Sequence, residues 1–185
     1  NAHIKYVEKH YGEGKGKGKR IMNPVTILHA EENSTIEMEM VQISGVDDTV
    51  RDTDIDLAEG AKMIITERLL TDGEQYAKSI VNVALNGADS SARIISRSVA
   101  KDDSKQDFHM NLIGRADCRG HIQCDSIIMG NAHVSSIPQI SAEHSDAQLI
   151  HEAAIGKIAG EQLIKLMTLG LTEQEAEAQI INGFL

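Results

Sequence analysis

The chain has 185 residues, a net charge of −10, an aromatic content of 3% and no Trp. That length allows one substantial core, but without aromatic area the core must come from Ile, Val, Leu, Met and Ala. The acidic balance argues against nucleic acid as the main partner, no run approaches the roughly 20 apolar residues of a membrane span, and two cysteines do not make a disulfide framework.

The charge is uneven: residues 1–30 sum to +4 and the remainder to −14. No secretory leader is evident. The chain begins at Asn1 without Met, which suggests a fragment or a processed product. Free thiols point to a cytoplasmic location. Residues 3–11 (HIKYVEKHY) alternate briefly, with Ile4 and Tyr6 on one side. The run Gly12-Glu-Gly-Lys-Gly-Lys-Gly-Lys-Arg20 has too little apolar content to bury anything and lacks the Gly-x4-Gly-Lys-Ser/Thr spacing of a phosphate loop. It reads as a mobile, solvated hairpin tip. Residues 1–24 therefore form an N-terminal strand and a Gly/Lys-rich loop.

From Val25 the texture is short strands and frequent turns. Ile36, Met38 and Met40 alternate, as do Ile55 and Leu57, then Val81, Val83 and Leu85, then Phe108, Met110 and Leu112. Each is the period-2 signal of a half-buried strand. A corner also recurs: Leu57-Ala-Glu-Gly-Ala61, Ala84-Leu-Asn-Gly-Ala88, Leu112-Ile-Gly-Arg-Ala116 and Ile128-Met-Gly-Asn-Ala132, with closing alanines 27, 28 and 16 residues apart. Small-residue corners after apolar pairs are how a β-solenoid turns between faces. A β-sandwich with similar turns is the competing arrangement. The near-constant interval and scarce aromatics favour a solenoid over residues 25–150. The carboxylates of Asp52, Asp54 and Asp56 alternate as a solvated face would.

At about Ile150 the pattern changes. Ile155, Ile158, Leu163, Leu166 and Met167 fall at helical spacing over 152–169, and Gly170 is a natural stop. Thr172 and Glu175 make a capping box for a second helix ending near Gly183. Residues 151–185 thus read as a helical hairpin.

Three residues suggest chemistry. Cys124 shares a strand face with Ile122 and Ser126 and should lie on the dry side, where an isolated Cys is more often a small core hydrophobe than a ligand. His151 and Glu152 stand at the expected strand-to-helix junction, where a carboxylate near a helix start is usually a cap. Brought together across solenoid layers, the thiolate, imidazole and carboxylate could ligate iron. Cys118, between Asp117 and Arg119, reads as an incidental exposed thiol whose neighbouring arginines could lower its pKa. A cluster normally asks for four thiolates and this chain has two, which suits a site completed by a second subunit or held for transfer.

The run Gln123-Cys-Asp-Ser126, Gly130, Pro138, Ala147-x3-His-Glu-Ala153, Ile158-x3-Gln162-Leu163, Gly170-Leu171, Glu175-Ala176 and Gly183-Phe184 resembles the C-terminal core of the SufB/SufD family, the iron–sulfur cluster assembly scaffolds of the SUF system. The thiol in its QCDS context and the His-Glu pair make it SufB-like. The resemblance implies a right-handed parallel β-helix followed by C-terminal helices. It also implies pairing with a second SufB/SufD-like subunit, identical or not, and docking of an ABC-type ATPase, SufC, on the helices. It implies a non-enzymatic scaffold in which Cys124, His151 and Glu152 hold a transient iron–sulfur cluster. A SufD-like structural partner that carries no cluster is the alternative.

Overall fold

The computed structural model describes residues 2–14 and 16–185. Twelve strands precede two helices among them: β1 (His3–Tyr11), β2 (Ile21–Met22), β3 (Val25–Ala30), β4 (Thr35–Ser44), β5 (Asp48–Leu57), β6 (Lys62–Thr71), β7 (Tyr76–Leu85), β8 (Ser91–Ala100), β9 (Lys105–Gly114), β10 (Arg119–Ile128), β11 (His133–Ala142), β12 (Gln148–Gly156), α1 (Gly160–Thr168) and α2 (Glu173–Phe184). Even-numbered strands from β4 onward join β1 in one sheet, ordered β1-β4-β6-β8-β10-β12. The other sheet runs β11-β9-β7-β5, with β2 and β3 both pairing β5. All pairings are parallel. The chain winds alternately through the two sheets, so the molecule is a flattened β-solenoid followed by two helices.

Parallel, in-register stacking explains the recurring corner. Lys62, Ser91, Arg119 and Gln148 lie side by side in consecutive coils of the first sheet. The chain must reverse at each sheet edge within a few residues. A left-handed backbone recurs there, at Asn33, Gly60 and Asp89 on one edge and at Gly45, Gly73, Asp102 and Gly130 on the other. Gly, Asn and Asp are the residues that tolerate it. The corners ending at Ala61 and Ala88 close one edge, whereas Gly130 turns the other. The 16-residue step in the sequence is thus about half a coil.

The alternating residues fill the interior as their period required. Met38, Met40, Ile55, Leu57, Val81, Val83, Leu85, Phe108, Met110 and Leu112 are all buried, while Asp52, Asp54 and Asp56 point outward. Register places four inward rows along the first sheet: Ile4-Ile36-Met63-Ala92-Gly120-Leu149, Tyr6-Met38-Ile65-Ile94-Ile122-His151, Glu8-Met40-Glu67-Ser96-Cys124-Ala153 and His10-Gln42-Leu69-Ser98-Ser126-Ile155. The first two are apolar along most of their length and the last two carry polar groups. In the third, Glu67 accepts from Arg51 Nη1 at 2.7 Å, from Ser79 Oγ at 2.8 Å and from Ser96 Oγ at 2.7 Å. Arg51 and Glu67 have side chains 2% and 0% exposed, so this is an ion pair in the dry interior.

Two segments differ from the sequence reading. The Gly/Lys run is not a hairpin tip, because β1 and β2 belong to different sheets and each pairs in parallel with a later strand. It is an enlarged solenoid corner, tied down where Arg20 meets Asp47 at 3.0 Å; Lys15 lies outside the described residues, as does Asn1. The second difference is at the C-terminal end. Residues 152–156 continue β12 instead of starting a helix, because β10 offers an open edge and its backbone groups pair with those of 148–156. A ladder of tertiary hydrogen bonds overrides helical spacing in a short Ala-rich run. The solenoid therefore extends to Gly156, not Ile150.

Gly170 (φ 99°) ends α1's turn, and Thr172 caps α2 by accepting from Glu175 N while its own N–H donates to Glu175 Oε2 at 2.8 Å. The end of α2 meets the outer side of the first sheet. There Arg97 Nη1 donates to Phe184 O at 3.2 Å and its guanidinium stands over the Phe184 ring, 5.9 Å from the centroid. Val99 points outward on β8 yet is fully buried, as is Ala176 of α2, and Ile181 is nearly so.

Removing one member of a buried ion pair strands the other. Glu67→Ala should cost about 3–5 kcal/mol, read by urea denaturation, whereas the joint replacement of Arg51 and Glu67 by Met should recover most of that loss.

Candidate functional site

β10 and β12 bring Cys124 and His151 onto the same inward face. Cys124 lies between Ser96 of β8 and Ala153 of β12, and His151 lies beside Ile122. Strand spacing and rise put their α-carbons about 8 Å apart, one strand over and two residues along. Both side chains point to the interior. The sequence reading of Cys124 as facing inward with Ile122 and Ser126 holds.

Glu152 goes the other way. Adjacent residues of a strand project to opposite faces, so Glu152 stands on the outer side of the sheet, next to Gln123. Its side chain is 62% exposed and its carboxylate lies 3.6 Å from His121 Nε2. The strand-to-helix junction expected at this pair is the middle of an edge strand. The structure joins Cys124 with His151 and separates both from Glu152.

Burial sets the electrostatics. It is the main cause pushing the Cys124 thiol up to about 12; the charges of Glu67 and Asp125 add to this, and a contact from Ser136 opposes it. His151 is held below its usual value, chiefly by burial and then by His121. At neutral pH the pair is therefore a protonated thiol beside a neutral imidazole, the metal-competent form of the ring. Both ring nitrogens of His151 are buried and without a hydrogen-bond partner among the described residues, and Ser136 Oγ is in the same state. Thr49 Oγ1, Thr53 Oγ1 and Gln106 Oε1 share that state elsewhere in the interior; what sets His151 apart is its place on the inward face near the Cys124 thiol.

Cys118 is 1% exposed, at the β9–β10 corner, and burial raises its pKa. It is neither exposed nor activated by its arginines. Sequence reading passed over Ser136, Arg51 and Glu67. The last two were detectable, since each puts a charge at an inward position of an otherwise alternating strand. Ser136 had no such signal, because β11 is half exposed and its pattern blurred.

Among the described residues no group of three or more His, Cys, Asp and Glu is arranged to hold a metal ion. One chain thus offers a thiol and an imidazole, residue types that can ligate iron once the thiol gives up its proton, but short of a full coordination set. The site opens at the last coil, where β11 and β12 have unpaired edges. Around them Ile137, Ile140, Ile150 and Ile155 are exposed.

A family model described as SUF system FeS cluster assembly, SufBD core domain, matches residues 26–184. The chain belongs to the SufBD family. It is similar to an iron–sulfur cluster assembly SufBD family protein of Methanocaldococcus jannaschii, 39% identical over 122 residues, covering 65% of this chain and 39% of the relative. It is also similar to one from Methanothermobacter thermautotrophicus strain Delta H, 37% identical over 105 residues, covering 56% of this chain and 26% of the relative. The iron–sulfur cluster assembly protein SufB of Bacillus subtilis is 30% identical over 131 residues, which cover 69% of this chain and 28% of that protein. The chain spans well under half the length of these relatives. Its family is one of cluster assembly, and its parallel β-solenoid with two terminal helices is the architecture the resemblance implied. No helix among the described residues is long and apolar enough to cross a membrane.

A buried, protonated thiol is a poor nucleophile. Iodoacetamide at neutral pH should leave Cys118 and Cys124 unlabelled in the folded chain and label both in denaturant, as read by mass spectrometry.

Proposed function

We propose that this chain is a non-enzymatic scaffold that builds an iron–sulfur cluster at the open end of its solenoid, with Cys124 and His151 as its two protein ligands. The observation that carries this reading is the pair of unpartnered, buried ring nitrogens of His151 beside the Cys124 thiol. In this reading the cluster is cargo. The chain supplies a sulfur ligand, a neutral nitrogen ligand and walls that keep water away. Glu152, on the outer face, would serve such a site only through a partner or a change of β12, so its role as a ligand is secondary here.

The missing ligands would come from a second SufB/SufD-like subunit. Support lies in the unpaired edges of β11 and β12 and in the exposed isoleucines around them, features that a lone chain normally covers. Docking of an ABC-type ATPase, SufC, fits α1 and its C-cap, where Ile164, Met167 and Leu169 are exposed. Reduced thiols and a cluster in transit fit the cytoplasm.

Anaerobic reconstitution with iron and sulfide, followed by visible absorption, tests the proposal. Cys124→Ser should abolish the charge-transfer absorption while leaving the circular dichroism unchanged. His151→Ala should weaken retention about tenfold or more, and Glu152→Gln should leave most of it. A full-strength cluster in Cys124→Ser, or no bound iron in the wild type at any stoichiometry, would overturn the scaffold role; the second result favours a purely structural, SufD-like part.

Binding also has a sign with pH. The thiol stays protonated up to about 12, so iron must displace that proton, while His151 is already neutral above its lowered pKa. Iron affinity should therefore rise with pH, by about tenfold per unit for one released proton, between about pH 7 and 9, measured by competition with a chelator. In Cys124→Ser that slope should disappear.

A further inference from the structure

Across the interior from Cys124 stands β11. In-register stacking on the second sheet puts Arg51, Ser79, Phe108 and Ser136 in one inward row. Arg51 and Ser79 reach over to Glu67 on the first sheet. Glu67, Ser96 and Cys124 follow one another in the facing row. The same geometry two coils further on sets Ser136 against Cys124, and the two side chains are in contact. Ser136 Oγ is buried and makes no well-formed hydrogen bond among the described residues. The hydroxyl acts on the sulfur in the sense that favours the thiolate, against the effect of burial.

We infer that Ser136 is a positioning residue for cluster assembly, whose hydroxyl donates a hydrogen bond to the Cys124 sulfur once that sulfur is bound to iron. This rests on the reading of Cys124 and His151 as the cluster-holding pair. The logic is one of charge. A neutral thiol at this depth is a weak acceptor, whereas an iron-bound thiolate carries electron density that a hydroxyl can stabilise. The hydroxyl already leans on the sulfur of the free chain, where it opposes the effect of burial on the thiol, and its bond strengthens when that sulfur becomes an iron-bound thiolate. It would hold the sulfur on the side of the last coil from which a partner approaches.

The test compares wild type, Ser136→Ala, Ser136→Thr and Cys124→Ser, each reconstituted anaerobically with iron and sulfide. Resonance Raman reads the iron–thiolate stretch, and transfer of iron to an excess of chelator reads retention. A hydrogen bond draws electron density from the sulfur, so its loss in Ser136→Ala should move that stretch to higher frequency while removing the bond's own stabilisation of the bound thiolate. It should also release iron about fivefold faster. Ser136→Thr, which keeps the hydroxyl, should restore both. Ser136→Ala behaving as wild type in both measurements overturns the inference, and so does a Ser136→Ala effect that threonine fails to rescue. Cluster retention in Cys124→Ser removes the underlying reading and this inference with it. Loss in Cys124→Ser alongside wild-type behaviour in Ser136→Ala removes this inference alone.

Discussion

Parallel strands stacked in register carry each inward position of one coil directly onto the same position of the next. Along the first sheet this produces rows, and every row has a character: two are apolar along most of their length, and two hold hydroxyls, amides and charges. A solenoid interior has room for little else than what its own rungs supply, so polar groups there must satisfy one another. Glu67 does this with three donors from three different strands. Such a node is weak evidence for stability, because hydrophobic replacements often do as well. It does specify alignment, since a slip of β6 by one residue would expose Glu67 and bury its neighbours.

The same row that carries Glu67 reaches Cys124 one strand before its end at Ala153, and the adjacent apolar row ends in His151. The placement of the candidate site thus follows from the stacking. Interior rows run on until the coils stop, and whatever stands in the last coil has walls on one side and no further rung on the other. The thiol is dry enough to keep its proton, yet it sits one strand from an edge. A cluster held there would be sheltered by its own subunit and reachable by another. Glu152 falls outside this enclosure because of strand alternation alone.

Much of this was legible in the sequence. The period of two in β4, β5, β7 and β9 gave the correct inward residues, and the recurring small-residue corner marked a coil of constant length. The capping box at Thr172 and Glu175 fixed the start of α2. What was not legible depended on partners distant in the chain. Ala153, Ala154 and Ile155 have the composition of a helix, and only the open edge of β10 makes them a strand. Cys118 looks exposed beside its polar neighbours, but the corner folds it inward. The approach of Ser136 to Cys124 crosses from one sheet to the other, and no local pattern encodes a distance between sheets. The ordered motifs from Gln123 to Phe184 carried the family assignment, and the solenoid alone would not have.

The arrangement of His151 and Glu152 as neighbours on one edge strand has an evolutionary corollary. Each owes its environment to parity, so the five residues between β11 and β12 act as a tolerance zone. A length change absorbed in that exposed corner leaves the imidazole indoors and the carboxylate outdoors. The same single insertion placed inside β12, ahead of the pair, would invert them, seating an acid against the thiol and turning the imidazole toward solvent. Drift in spacing between the cysteine and histidine motifs is therefore harmless or ruinous according to where the extra residue lands.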